Sequence, residues 1–118
     1  MKKAVIVNQT VLPGYHMPMG FESLNPFKKT RADRLKKNLK TAVEEEKLNF
    51  RVDFDNTYGD IEQLKMDGTD FYIFTPFVSD HVELHLLEGK EYVVLTDEEY
   101  TDGETARIIR KMKWLDYV

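Results

Sequence analysis

The chain has 118 residues, 42% of them hydrophobic and 32% charged, which is the composition of one globular domain and too short for two. Seventeen basic residues against twenty-one acidic ones give a net charge of −4, which argues against a general nucleic-acid role, because a phosphate backbone rewards clustered positive charge. Cysteine is absent, which excludes disulfides, thiolate catalysis and cysteine-ligated metal, and no apolar run approaches the ~20 residues a membrane span requires.

Met1-Lys2-Lys3 is followed by only a short apolar run, Ala4 to Val7, far less than the core of a signal peptide, so a cytoplasmic address is expected. Ala4 to Asn8 reads as a strand buried on both faces, since its apolar residues are consecutive rather than alternating. After it the chain does not enter a helix. Residues 9–29, QTVLPGYHMPMGFESLNPFKK, carry Pro, Gly, Met and aromatic side chains without helical or strand periodicity, and read as a long loop.

Ala32, Leu35, Leu39, Ala42 and Val43 recur at three- and four-residue steps and predict a helix over 30–48, with Thr30 as its N-cap. The basic stretch KKTRADRLKKNLK, residues 28–40, reads as the solvated face of that helix. Phe50 to Asp55 is a second strand. Ile61 and Leu64 support a short helix that Asp67-Gly68 ends. The strongest strand signal is DFYIFTPFV, Asp70 to Val78, where aromatic and β-branched residues gather and Pro76 stands at the exit. Ser79 is expected to cap a further short helix, SDHVELHLLEG, closed by Gly89, and Tyr92 to Leu95 forms a fourth strand. Thr101 followed three residues later by Glu104 has the capping-box form. It predicts a last helix with Ala106, Ile109, Met112 and Leu115 on one face.

Strands and helices alternate throughout, with no internal repeat and no linker, so the expected fold is a single three-layer α/β/α domain over 1–118 with a four-stranded parallel sheet. Right-handed crossovers put every strand's carboxyl end on one edge, and ligands of such sheets bind there. The residues that follow the strands are Asn8-Gln9-Thr10, Asp55-Asn56-Thr57, Thr75-Pro76-Phe77 and Thr96-Asp97-Glu98. Asn8, Gln9, Thr10, Asp55, Thr75 and Asp97 are therefore the candidate ligand-binding residues.

KKAVIVNQ, NFRVDFDNTYGDIEQLKMDGTDFYIFTPFVSDHVE and GKEYVVLTDEEYTDGETARIIRKMKW together resemble, in order and spacing, the IIB components of the lactose/cellobiose branch of the bacterial sugar phosphotransferase system. The resemblance implies a phosphoryl group carried on a cysteine directly after the first strand, in a loop whose N–H groups cradle phosphate. Asn8, Gln9 and Thr10 stand there instead, and the family's short loop is replaced by the insertion at about 9–29. A conventional phosphorylation relay is thus not expected. The implied role is a cytoplasmic IIB-like binding or regulatory protein that lacks the phosphorylatable cysteine.

Four other features compete for attention. His16 is the phosphoryl acceptor available on the long loop, and an alternative reading makes the chain a phosphoryl-transfer protein acting through it, although no orienting partner is visible in sequence. His81 and His85 share a helix face at a spacing that metal sites use, but Val82 and Leu86 make them border residues of a packed helix, and no metal or cofactor is expected. Asp53 and Asp55 resemble the acidic end of a receiver-domain strand, yet Asn8 and Gln9 occupy the places where receivers hold magnesium, and a fifth strand is missing. Tyr15, Met17, Met19, Phe21 and Phe27 would form an apolar patch if exposed. Contact with a protein partner, or self-association into a homo-oligomer through the 9–29 loop, is the expected use, and a purely structural oligomerisation domain is the third reading.

Overall fold

The computed structural model describes residues 1–8, 31–57, 59–80, 82 and 84–117. Strand β1 (Lys2–Val7) carries the apolar run Ala4–Val7, every member of which is buried. Consecutive side chains of a strand point to opposite faces, so a continuous apolar run needs cover on both. It has that cover. Ala4 and Ile6 belong to one apolar cluster, and Val5 and Val7 belong to another on the opposite face.

The remaining elements are α1 (Arg31–Glu45), β2 (Phe50–Phe54), α2 (Ile61–Met66), β3 (Phe71–Phe74), α3 (Pro76–Ser79), a 3₁₀ turn (Leu84–Leu87), β4 (Glu91–Val94), α4 (Asp97–Asp102) and α5 (Ala106–Tyr117). The sheet has the order β2-β1-β3-β4 and all its ladders are parallel. β1 sits between its partners with Val5 opposite both Asp53 and Tyr72. The route from β1 to β2 runs one way across the sheet and the routes to β3 and β4 run the other. Right-handed crossovers then require helices on opposite faces. Accordingly α1 and α5 pack with Ala4 and Ile6, whereas Ile61, Leu64, Val78 and Leu87 cover Val5 and Val7. No helix among the described residues is long and apolar enough to cross a membrane.

Helix α1 buries Ala32, Leu35, Leu39 and Val43 and leaves Arg34, Lys37 and Lys40 exposed, the solvated face expected of the basic stretch. It ends at Glu45 rather than 48. Lys47 takes a φ of 54° and the Leu48 N–H turns back to Val43 O at 3.0 Å, a bond that closes the helix.

The other strands shift by a residue or two, to Lys2–Val7, Phe50–Phe54 and Glu91–Val94, and three further features differ from the sequence reading. The third strand stops at Phe74 instead of running to Val78, because Pro76 opens α3 at a first-turn position where its missing N–H would have had no partner. Ser79 does not cap a following helix; it closes α3, with its hydroxyl donating to Pro76 O at 2.9 Å. The capping box lies at Thr96 and Glu99, not at Thr101 and Glu104: Thr96 Oγ1 accepts from the Glu99 N–H at 3.1 Å and Glu99 Oε1 accepts from the Thr96 N–H at 2.9 Å. Thr101 and Asp102 form the last turn of α4. Helix α5 starts at Ala106, which is exposed, and buries Ile108, Ile109 and Met112.

Gly103 ends α4 in the left-handed region at φ 66°, and a Cβ there would stand 2.6 Å from Asn38 Nδ2, the atom that donates to Gly103 O at 3.0 Å. Gly89 is also left-handed, at φ 84°, but nothing lies within 4 Å of its Cβ position. Both alanine variants bear the backbone cost of roughly 1–2 kcal/mol. Gly103→Ala also loses the Asn38 contact, so urea unfolding should find it less stable than Gly89→Ala by about 1 kcal/mol.

Glu99 also accepts from Arg107 at 2.8 and 3.1 Å, and this bonding holds its carboxyl below the ordinary glutamate value, against the opposing effect of partial burial. A depressed native pKa contributes stability that is fully present above the unfolded value and is lost as pH falls through the native one. Wild type should therefore exceed Glu99→Gln in stability near neutrality, and the gap should shrink on acidification. Urea midpoints across a pH series test this; a gap constant with pH would contradict it.

Candidate functional site

The strand order reverses between β1 and β3, so the crevice that parallel sheets use for ligands lies at the carboxyl ends of these two strands. Two candidate residues meet there. Asn8 follows β1 and is half-buried; Thr75 follows β3 and is buried. Thr75 is tied to β1, since its N–H donates to Val7 O at 3.2 Å and its hydroxyl faces the same oxygen at 3.5 Å. That hydroxyl orientation explains why Thr75, although the N-cap of α3, makes no side-chain capping bond. With four residues, α3 offers too short a helix for an anion cradle of its own.

Asp55 is placed on the same edge, after β2, by its N–H donating to Ile6 O at 2.9 Å. Its carboxylate is engaged by its own loop. Oδ1 accepts from the Thr57 N–H at 2.7 Å and the Thr57 hydroxyl at 2.6 Å, and Oδ2 accepts from the Gly59 N–H at 2.6 Å. Thr57 Oγ1 in turn accepts from the Asp60 N–H at 3.1 Å, and Asp60 Oδ1 caps α2 by accepting from the Gln63 N–H at 3.2 Å. A chain of side chains thus carries β2 into α2. Asp53, one step back on the same side of the strand, is held by Arg51 at 2.8 Å.

Asp97 lies exposed in the first turn of α4, next to β4. Three strand spacings separate the ends of β2 and β4, roughly 14 Å, so Asp55 and Asp97 do not form one carboxylate pair. Gln9, Thr10, His16 and the whole 9–29 loop lie outside the described residues, as does His81; His85 is exposed on the 3₁₀ turn. Among the described residues no group of three or more His, Asp or Glu side chains is placed to hold a metal ion.

Thr57, which the sequence places after β2, is joined on this edge by Gly59 and Asp60, which are not among the candidate residues. The Asp-Asn-Thr order after a strand is a signal for an Asp-turn and could have pointed to them. The Glu99–Arg107 pair had no such signal, because the two residues sit on different helices. Grooves of about 400 Å³, between α1 and α5, and about 220 Å³, at the amino edge beside Lys3 and Asp70, do not involve the carboxyl-edge residues. What the edge offers chemically is hydrogen bonding and shape, with its described acidic groups turned to local partners or to solvent. Comparisons with protein-family models, with curated proteins and with solved structures find no match to this chain.

Removing the Asp55 carboxylate leaves the Thr57 and Gly59 N–H groups without partners. Asp55→Ala should cost about 2 kcal/mol in urea unfolding and speed hydrogen exchange at the start of α2, while β1 and β3 amides keep their protection. Unchanged exchange in 57–63 would show that the loop holds itself without Asp55.

Proposed function

We propose that the chain is a cytoplasmic binding or regulatory protein related to the phosphotransferase IIB components, without the cysteine on which those proteins carry phosphate. One observation supports the reading above others: an all-parallel sheet of order β2-β1-β3-β4 whose switch point sets Asn8 directly after β1, where the resemblance implies a thiol. The Asn8 amide can hydrogen-bond a partner but cannot carry a phosphoryl group as a thiolate does. Asn8 forms the centre of the contact surface, with the buried Thr75 behind it tying β3 to β1; Gln9 and Thr10 extend it, Asp97 flanks it, and the apolar side chains of residues 9–29 supply the partner-facing or self-associating area.

A phosphohistidine-bearing donor protein of the phosphotransferase system is the natural probe. On its addition, amide signals of Asn8, Asn56, Thr75 and Thr96 should shift, and no acid-labile phosphoryl adduct should form. An adduct that disappears in His16→Ala would replace this reading with phosphoryl transfer. Absence of both adduct and shifts would remove the relation to that system.

A further inference from the structure

Among the described residues, the sheet ends in β2 on one side and β4 on the other, and the outer edge of β4 carries a side chain on its free backbone. β4 is the last strand of the sheet, and among the described residues no strand lies beyond it. Leu95 N–H donates to Phe74 O at 2.9 Å, which aims the backbone polar groups of Val93 and Leu95 at β3. By the alternation of a strand, those of Tyr92 and Val94 point outward. An edge of this kind, apolar and without proline, is a template for strand addition.

Helix α5 places two cations along it, one turn apart. Arg107 Nη2 donates to Val94 O, and Lys111 Nζ pairs with Glu91 at 2.6 Å, so the pair spans the strand from its first residue to its last. Arg107 is fixed in that position by its two bonds to Glu99, and Glu99 is itself fixed as the third residue of the capping box of α4. The outward carbonyl of Val94 is thereby taken by a side chain that is anchored at its other face.

We propose that Arg107, held by Glu99, is a guard on the free edge of β4, and that an unguarded β4 pairs with β4 of a second copy of this chain. The occupant follows from the register. A two-fold axis through Val93 sets Tyr92 against Val94 of the other copy in both directions, and in such an antiparallel pair the two residues exchange both N–H and C=O bonds. Val94 O, the atom Arg107 occupies, is the acceptor for the Tyr92 N–H of the second copy. The same pairing brings the exposed Tyr92 ring against a Val94 side chain, an aromatic and β-branched combination that stabilises antiparallel ladders. With only four residues in β4 the pairing is short, so loss of one acceptor is enough to prevent it.

Sedimentation velocity of the full chain tests the guard. Arg107→Ala should sediment at twice the wild-type mass, and Arg107→Ala with Tyr92→Pro should return to the wild-type mass, because Tyr92 N–H points away from β3 and its loss leaves the native ladder intact. Circular dichroism establishes that each variant is folded. If Arg107→Ala fails to fold, Arg107→Met keeps the long apolar stem on α5 and removes the donor to Val94 O, and should show the same doubling; if the proline variant fails, Tyr92→Lys serves as the block. A folded, unguarded chain at the wild-type mass overturns the proposal, and so does a doubled mass that persists in the folded block variant.

Discussion

Everything in this molecule is arranged around one strand that must be covered twice. β1 is hydrogen-bonded to a parallel neighbour on each edge and buried on each face, so neither a hairpin nor a single layer of helices could satisfy it. Parallel neighbours require long crossovers, and right-handed crossovers to opposite sides require helices on opposite faces. The split of strand order at β1 and β3, and with it the position of the crevice, is the consequence of that single requirement.

The polar carboxyl edge looks like a binding site in sequence because every strand there ends in side chains that can hydrogen-bond. In the folded chain, several of those side chains steer the backbone out of the sheet. Asp55 shapes the loop into α2, Thr75 binds β3 back onto β1 ahead of α3, and Thr96 caps α4. Each satisfies backbone groups that would otherwise be stranded where a strand turns into a helix. Asn8 stands at the crevice itself, and it carries the proposed contact together with the loop that follows it.

Charge is used in the same local way. Arg51 and Asp53 pair along β2, Lys113 meets Glu46 between α5 and α1 at 3.0 Å, and Arg107 and Lys111 line β4. Thr69 and Tyr72 are exceptions to local satisfaction: among the described residues their buried hydroxyls have no hydrogen-bond partner, and for Tyr72 burial, reinforced by the charge of Asp70, pushes the pKa up.

Much of this architecture could be read from residue order. The unbroken run Ala4–Val7, too short for a buried helix, fits a doubly covered strand, and the spacing of Ala32, Leu35, Leu39 and Val43 fits one buried face of a helix; such patterns are set by geometry within a few residues of chain. Punctuation was less legible. Pro76 suits a strand exit and a helix start equally well, and a Thr-x-x-Glu spacing occurs at both Thr96 and Thr101, so the choice depended on where Gly103 meets Asn38 and where Arg107 meets Glu99. The sequence by itself determined the four strands, the helices α1, α2 and α5, the parallel sheet and the absence of a thiol; α4, and the split of the expected 79–89 helix into α3 and a 3₁₀ turn, were not legible in it. Only the tertiary structure decided that Asp55 belongs to its own loop, that Asp97 stands apart from it, and that an arginine thirteen residues further on covers Val94. Those facts depend on contacts between segments distant in the chain, which local pattern does not encode.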